Sequence, residues 1–215
     1  MSSKMRREAY RRVVEDLAVD ERCRGREFPN VLDYGCGTGW FVSRFARRRS
    51  RVLGVEVQGG PLAAANRARE DGALLVLYGG GTLPVRSESV DLVLGVGVVR
   101  SLLDRGPLRE AVAEWRRCLK PGGILLLVET DNAAFRRYMM PDDLREAVVS
   151  LGMEGVAWYP VRKAGWWGLN LVKVGVIPPS WYPRLARWEL SARRKTRKGH
   201  GKCAYLGEFR KGWGG

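Results

Sequence analysis

The stretch Val31-Leu32-Asp33-Tyr34-Gly35-Cys36-Gly37-Thr38-Gly39 decides the fold class of this chain. Its apolar first half is typical of a buried strand, and residues 40–48 after it have the composition of a helix. Glycine adopts positive φ angles and has no Cβ, so three glycines at alternate positions permit a tight turn that a ligand can approach closely. Open α/β sheets bind ligands at the carboxyl ends of their strands, and the stretch therefore predicts such a site.

The spacing of these glycines separates two families of cofactor. The dinucleotide fingerprint G-x-G-x-x-G requires a third glycine at residue 40 or 42, where the chain has Trp40 and Val42. The nicotinamide interpretation therefore fails. The pattern that is present, D-x-G-x-G-x-G beginning at Asp33, resembles motif I of the class I S-adenosylmethionine-dependent methyltransferases.

A second predicted strand, residues 51–56, ends in an acid. Glu56 follows Asp33 by 23 positions, a separation that one strand, one helix and two loops fill. A carboxylate has two oxygens and accepts paired hydrogen bonds from adjacent ribose hydroxyls. A lone glutamate is more often a solvated loop residue, but with the glycine loop upstream we favour the ribose role.

Two further stretches resemble the type 11 group of that family. Residues 79–85 and 89–95, GGGTLPV and SVDLVLG, are similar to its D-A-x-x-L-P-F and S-F-D-x-V segments. In that group the first acid commonly receives the exocyclic amine of adenine, and this chain has Gly79 there. The resemblance implies that the backbone of Gly79 and Gly80 faces the base instead.

The Lys120-Pro121-Gly122-Gly123 turn and its apolar run resemble the family's R-x-L-K-P-G-G passage, so recognisable motifs cover about residues 30–130. The resemblance implies an α/β fold: a Rossmann-like, doubly wound, seven-stranded sheet, mostly parallel with an antiparallel last strand, and helices on both faces. The alternation of strand and helix patterns also favours a largely parallel sheet. We predict one domain over residues 1–215, with helices at 4–19, 109–119 and 142–151, a sixth strand near 156–161 and a seventh at 203–209.

Composition favours a soluble, cytoplasmic enzyme domain. A hydrophobic content of 45% in 215 residues is enough for one substantial core. The first twenty residues are charged throughout and lack the apolar run of a signal peptide, and no later run has the roughly 18 apolar residues of a membrane span. The four cysteines are scattered and His200 is the single histidine, so we expect no metal site.

The resemblance implies S-adenosyl-L-methionine as the cofactor. The residues expected to contact it lie at the strand ends and in the loops beside them: Asp33, Gly35, Cys36, Gly37, Gly39, Glu56, Val57, Gly79, Gly80 and Gly95. The catalytic base stays unknown. Arg100, where family members often place histidine, and Asp131, just after strand five, are candidates that can equally be interpreted as surface residues.

Residues 164–202, between strands six and seven, are basic and aromatic, and we predict an inserted amphipathic helix there. Its apolar residues recur at helical spacing, and we expect its tryptophans to pack at least partly on the domain: Trp181, Leu185, Trp188 and Ala192. The formal net charge is +15, and the segment from Arg184 to Lys211 holds ten Lys or Arg against two acids. Such a surface suits a nucleic acid or an anionic membrane, and equally a merely solvated face.

The sequence argues against two classes of methyl acceptor. Amino-methylating DNA enzymes of the family carry D/N-P-P-Y/F after strand four, where this chain has Gly95-Val96-Gly97-Val98. The 5-methylcytosine enzymes need a nucleophilic cysteine after Pro or Thr, and no cysteine here has that context. We therefore expect a methyltransferase acting on a small molecule, a glycan or a lipid precursor. The alternatives are an RNA substrate, or a non-catalytic scaffold that binds the cofactor.

Overall fold

The computed structural model describes residues 1–99, 101–102, 108–130, 141–163, 167–195 and 203–213. Arg100 and Asp131, the two candidates for the catalytic base, lie outside the described residues, as does His200. The described elements are, in chain order, α1 (Ser3–Cys23), β1 (Asn30–Tyr34), α2 (Trp40–Ala46), β2 (Arg51–Glu56), α3 (Gly59–Ala63), α4 (Asn66–Glu70), β3 (Leu74–Leu77), β4 (Val90–Val96), α5 (Leu108–Cys118), β5 (Leu119–Thr130), α6 (Pro141–Ser150), β6 (Met153–Lys163), α7 (Trp167–Val174), a 3₁₀ turn (Pro179–Trp181), α8 (Tyr182–Lys195) and β7 (Cys203–Lys211).

The strands form one seven-stranded sheet in the order β3-β2-β1-β4-β5-β7-β6. The first five strands of that order pair in parallel, and β7 is antiparallel to both of its neighbours. The predicted fold class is therefore confirmed. The chain leaves β1 toward β2 on one side and later returns to β4 on the other, so the carboxyl ends of β1 and β4 flank a crevice.

Helices cover both faces of this sheet, as predicted. Apolar side chains of α1, α2, α7 and α8 form one core cluster with the strands, and those of α5 and α6 form the other. Among the largest buried side chains, Tyr10 lies in the first cluster and Trp115 in the second. The sheet is thus fixed from both sides, and its strand ends hold their positions around the crevice.

The predicted elements are present with shifted ends. The first helix begins at Ser3 because the Ser2 side chain accepts a hydrogen bond from the Met5 amide, 3.2 Å away, and caps it. The sixth strand spans Met153–Lys163. It is longer than the predicted strand near 156–161 because it pairs with β7 from end to end. Local patterns show where an element lies, whereas partners determine how far it extends.

The predicted packing stripe of the inserted helix is wrong by one position. Trp181 and Trp188 are exposed, and the buried side of α8 consists instead of Tyr182, Ala186, Glu189 and Leu190. The Tyr10 hydroxyl donates to Glu189 Oε2 at 2.8 Å, and the Tyr10 and Tyr182 rings meet edge to face at 5.5 Å. Because the buried side of α8 includes a glutamate, the spacing of apolar residues predicts an adjacent side of the helix instead.

Within the described ranges, none of the helices combines the length and apolarity that crossing a bilayer requires. The same part of the chain has no cluster of three His, Cys, Asp or Glu side chains placed to hold a metal ion.

Candidate functional site

The glycine loop turns over the end of β2. The amides of Gly35 and Cys36 both donate to the Val55 carbonyl, at 2.8 and 3.0 Å. Gly35, Gly37 and Gly39 all have positive φ, at +72°, +54° and +76°. The room for a side chain differs among the three positions. A Cβ on Gly35 would stand 2.4 Å from Val98 Cγ1, and one on Gly39 would stand 2.6 Å from Ala68 Cβ. At Gly37 none of the described atoms lies within 4 Å of such a Cβ.

Glu56 joins the glycine loop to the end of β2. Its Oε2 accepts the Gly37 amide at 2.8 Å, and its Oε1 accepts the amides of Val57 and Gln58 at 2.8 and 3.0 Å. A carboxylate offers about four lone-pair positions, so one remains for a ligand. The side chain is largely buried and lines the large cleft described next.

A cleft of about 620 Å³ opens at the carboxyl ends of the strands. One wall comes from the ends of β1 and β2 and the other from the loops after β3 and β4, with the first turns of α5 between them. Among its lining residues are Tyr34, Gly35, Glu56, Val57, Tyr78, Gly79, Gly80, Gly97, Val98, Glu110 and Glu114. Its volume falls within the range of small-molecule and cofactor sites.

A smaller pocket of about 140 Å³ lies on the other side of the glycine loop, beneath α1. Gly35 lines both spaces, so the two pockets meet opposite sides of the same residue of the loop. The Trp40 indole N–H donates to Asp16 Oδ1 at 2.6 Å, and Arg44 forms an ion pair with the same carboxylate at 3.2 Å. These contacts fix α1 beside the loop, so that charged side chains of the first helix border this pocket.

Burial controls the ionisation of two predicted site residues. Desolvation raises the pKa of Asp33 to about 7; the nearby Glu56 carboxylate adds to the rise, and the Val42 amide opposes it. Desolvation also raises the pKa of the Cys36 thiol to about 12. Because the thiolate is the nucleophilic form, Cys36 is a packed thiol at neutral pH.

Asp33→Asn is expected to gain stability relative to the wild type as pH rises. The folded pKa of about 7 lies above the ordinary 3.8, so the folded protein holds a proton that the unfolded chain has already lost. Wild-type stability therefore falls through this window and levels off above it, whereas asparagine has no such dependence. Urea unfolding at about pH 5 and about pH 8 should show a relative shift of about 1–3 kcal/mol toward the variant. A pH-independent difference would contradict this.

The predicted site residues fall into three groups. Gly35, Glu56, Val57, Gly79 and Gly80 lie together around the large cleft. The smaller pocket is lined by Asp33, Cys36 and Gly37.

Gly39 and Gly95 line neither space. Gly39 precedes α2 in a left-handed conformation and packs on Ala68. Gly95 is buried within β4, where a Cβ would stand 2.9 Å from both Leu127 and Val98. From the end of β4 onward the cleft is lined by Val96, Gly97 and Val98, and the contact of Gly95 with the cofactor stays a prediction.

Several site residues have no sequence signal. Glu129, at the end of β5, is buried and accepts the amides of Val98 and Val99 at 2.7 and 2.9 Å, and it thereby holds the segment after β4. Desolvation raises its pKa to about 7 against the effect of those amides. Tyr78 and Glu110 line the cleft itself and come from distant parts of the chain, whereas Glu129 acts through the Val98–Val99 backbone. Only the fold brings these side chains together.

Residues 32–127, just under half of the chain, match the type 11 methyltransferase family, described as a methyltransferase domain. A probable S-adenosylmethionine-dependent methyltransferase of Mycolicibacterium smegmatis is 32% identical over 114 residues, which are 53% of this chain and 42% of that protein. The chain spans less than half the length of the first curated relatives that it matches.

Solved structures resemble the chain over nearly its whole length. The 4+2 cyclase SpnF has a TM-score of 0.67 and 24% identity, covering 94% of this chain and 81% of its own. Phosphoethanolamine N-methyltransferase 2 of Haemonchus contortus, solved with phosphomonomethylethanolamine and S-adenosylhomocysteine, has a TM-score of 0.65 and 15% identity, covering 96% and 57%. At such identities the likeness shows the fold alone.

Proposed function

We propose that this chain, whose residues 32–127 match the methyltransferase domain family, is a class I S-adenosylmethionine-dependent methyltransferase that methylates a small-molecule, glycan or lipid-precursor acceptor. The observation that carries the proposal is the open cleft between the glycine loop, Glu56 and the loops after β3 and β4. Its position at the sheet's crevice and its size suit a nucleoside cofactor. The buried free thiols Cys23, Cys36 and Cys118 suit a reducing, cytoplasmic compartment.

Glu56 is the ribose ligand in this proposal. The carboxylate is already oriented by three backbone amides and retains a lone-pair position for a ribose hydroxyl. The open space at Gly37 lets the cofactor pass directly over the main chain. Charged side chains of α1 border the smaller pocket beyond the loop, where they would hold the amino-acid end of the cofactor.

Glu110 replaces the acid that relatives place at the position of Gly79. It stands in the first turn of α5 and lines the same cleft as Gly79 and Gly80, and none of the described atoms lies within 4 Å of a Cβ placed on either glycine. Within the described part of the chain, Glu110 has no hydrogen bond or ion pair, whereas Glu114 is engaged by the Leu83 amide and Arg117. A free carboxylate at this edge accepts a hydrogen bond from the exocyclic amine of adenine.

Glu110→Gln is expected to weaken discrimination between S-adenosylhomocysteine and S-inosylhomocysteine about tenfold or more. The carboxylate accepts from the adenine amine and repels the hypoxanthine oxygen, whereas the glutamine amide can donate to that oxygen. Isothermal titration with both ligands measures the ratio. Glu70→Gln, an exposed acid on α4, is the matched control. If S-adenosylhomocysteine binds and the ratio is unchanged, Glu110 is not the adenine ligand, although the proposed function stands.

The transfer itself requires positioning more than acid–base chemistry. S-Adenosylmethionine supplies an activated methyl group: the acceptor lone pair forms the new bond to carbon while the carbon–sulfur electrons stay on sulfur, and an acceptor proton leaves to solvent. Holding both reactants in near-attack geometry accounts for about 7–11 kcal/mol of such a barrier. Glu129 contributes by fixing the Val98–Val99 backbone at the edge of the cleft.

Methyl transfer from labelled S-adenosylmethionine into fractionated extract tests the proposal. We expect label in the small-molecule, glycan or lipid pool, and heat of binding when the cofactor is titrated alone. Label confined to RNA would show that the acceptor is RNA, and the proposed methyltransferase activity would stand. Cofactor binding without label in any pool would support the non-catalytic alternative, and absence of binding would contradict the role of the cleft.

A further inference from the structure

The two helices inserted between β6 and β7 carry an exposed apolar face. Trp167 and Val174 lie two helical turns apart on α7, Trp181 is the last residue of the 3₁₀ turn, and Trp188 lies on α8. Their side chains are between 52% and 68% exposed, as is Val176 in the connection. Surface tryptophans are rarely grouped, and an exposed apolar patch of this kind marks an interaction surface.

This face is rigid because the opposite sides of both helices are buried. Leu169 and Val172 of α7, and Tyr182 and Leu190 of α8, belong to the core cluster that includes α1. On the outside, the Trp167 and Trp188 rings contact each other edge to face, with their centroids 6.3 Å apart. The outward position of the tryptophans is therefore set by packing beneath them and not by a flexible segment.

The charge around the face has one sign. Between residues 167 and 193 the single acid is Glu189, which is fully buried and bonded to Tyr10. Three basic residues remain at or near the surface: Lys173, Arg184 and Arg187. The Arg184 guanidinium stands 5.7 Å from the centre of the Trp181 ring, so cation and aromatic ring occupy the same patch. The face is electrostatically complementary to a negatively charged surface.

We propose that the outer face of α7 and α8 docks on an anionic lipid bilayer. Tryptophan prefers the headgroup level of a membrane, aliphatic side chains enter the acyl boundary, and basic residues bind anionic headgroups. A nucleic acid would use the arginines and the aromatic rings, but it offers nothing to Val174 and Val176. Trp167, Val174, Trp181 and Trp188 do not line the large cleft, so the proposal does not depend on the identity of the methyl acceptor.

Vesicle sedimentation of the full chain tests this surface. We expect binding to vesicles of phosphatidylglycerol and phosphatidylcholine in equal parts, weakened by salt, and little binding to phosphatidylcholine alone. Trp181→Ala with Trp188→Ala should lower partitioning about tenfold or more, because two interfacial side chains are lost. Trp213→Ala is the matched control, since Trp213 is 81% exposed but lies against Gly122 in the turn at the start of β5.

Two results would overturn the proposal: wild-type protein that stays in solution with anionic vesicles, or a double variant that sediments as the wild type does. Salt-sensitive retention of structured RNA that the double variant loses, with vesicle binding unchanged, would assign the face to nucleic acid instead. Thermal melting and cofactor titration of the double variant verify that its fold and cleft are intact.

Discussion

Gly35→Ala is expected to destabilise the protein by about 2–5 kcal/mol, whereas Gly37→Ala is expected to cost only about 1–2 kcal/mol. Both residues have positive φ, so both substitutions force an alanine into the left-handed region. At Gly35 the new methyl would also stand 2.4 Å from Val98 Cγ1, and Val98 is buried. Overpacking adds to the backbone strain there and is absent at Gly37.

The two variants should separate folding from cofactor binding. Gly37→Ala loses less stability than Gly35→Ala but places a methyl group in the space that the cofactor needs, so its affinity for S-adenosylmethionine should fall at least about tenfold. Chemical denaturation and isothermal titration on both proteins measure the two quantities. Equal losses of stability at the two positions would show that Val98 does not restrict Gly35.

Glu56→Ala is expected to lower the affinity for S-adenosylmethionine about a hundredfold or more. The substitution removes the proposed ribose ligand and also leaves the amides of Gly37, Val57 and Gln58 without their acceptor. An unsatisfied buried donor costs about 1–3 kcal/mol, so the loop itself should lose its bound conformation.

A double cycle distinguishes the ribose contact from the loop contact. Wild-type and Glu56→Gln proteins are titrated with S-adenosylhomocysteine and with its 2′-deoxy and 3′-deoxy forms; if Glu56 binds one of these hydroxyls, the penalty of the variant shrinks for the ligand that lacks it. Asp91→Ala is the control, because Asp91 also accepts a backbone amide, that of Asn30 at 2.8 Å, but lies at the opposite end of the sheet. It should lose stability and keep its affinity. Additive effects with the 2′-deoxy ligand, and again with the 3′-deoxy ligand, would contradict the ribose role of Glu56.

The parts of the site that could be predicted are those determined by local backbone demands. The glycine loop and Glu56 follow directly after strands, and their residue types are restricted by positive φ angles and by the turn beneath a ligand. Gly95 has the same residue type for another reason: close packing of β4 on Leu127 requires it. Composition cannot separate these two uses of glycine.

The remaining site residues depend on contacts between distant segments. Glu110 reaches the cleft because α5 packs beside the loop after β3, where Glu114 accepts the Leu83 amide at 2.7 Å. The inner face of α8 could not be predicted from the spacing of apolar residues because it contains Glu189. Sequence alone does not show that this carboxylate is buried and paired with Tyr10. Sequence spacing records periodicity, but it does not record which polar group finds a partner.

Val98 connects the end of β5 to the glycine loop. Its amide is held by Glu129 at the end of β5, while its side chain stands over Gly35. Protonation or substitution of Glu129 is therefore expected to displace Val98, whose side chain contacts the first turn of the glycine loop. Because Val98 connects Glu129 to the glycine loop, Glu129 variants are expected to change the binding of S-adenosylmethionine although Glu129 itself lies at the end of β5.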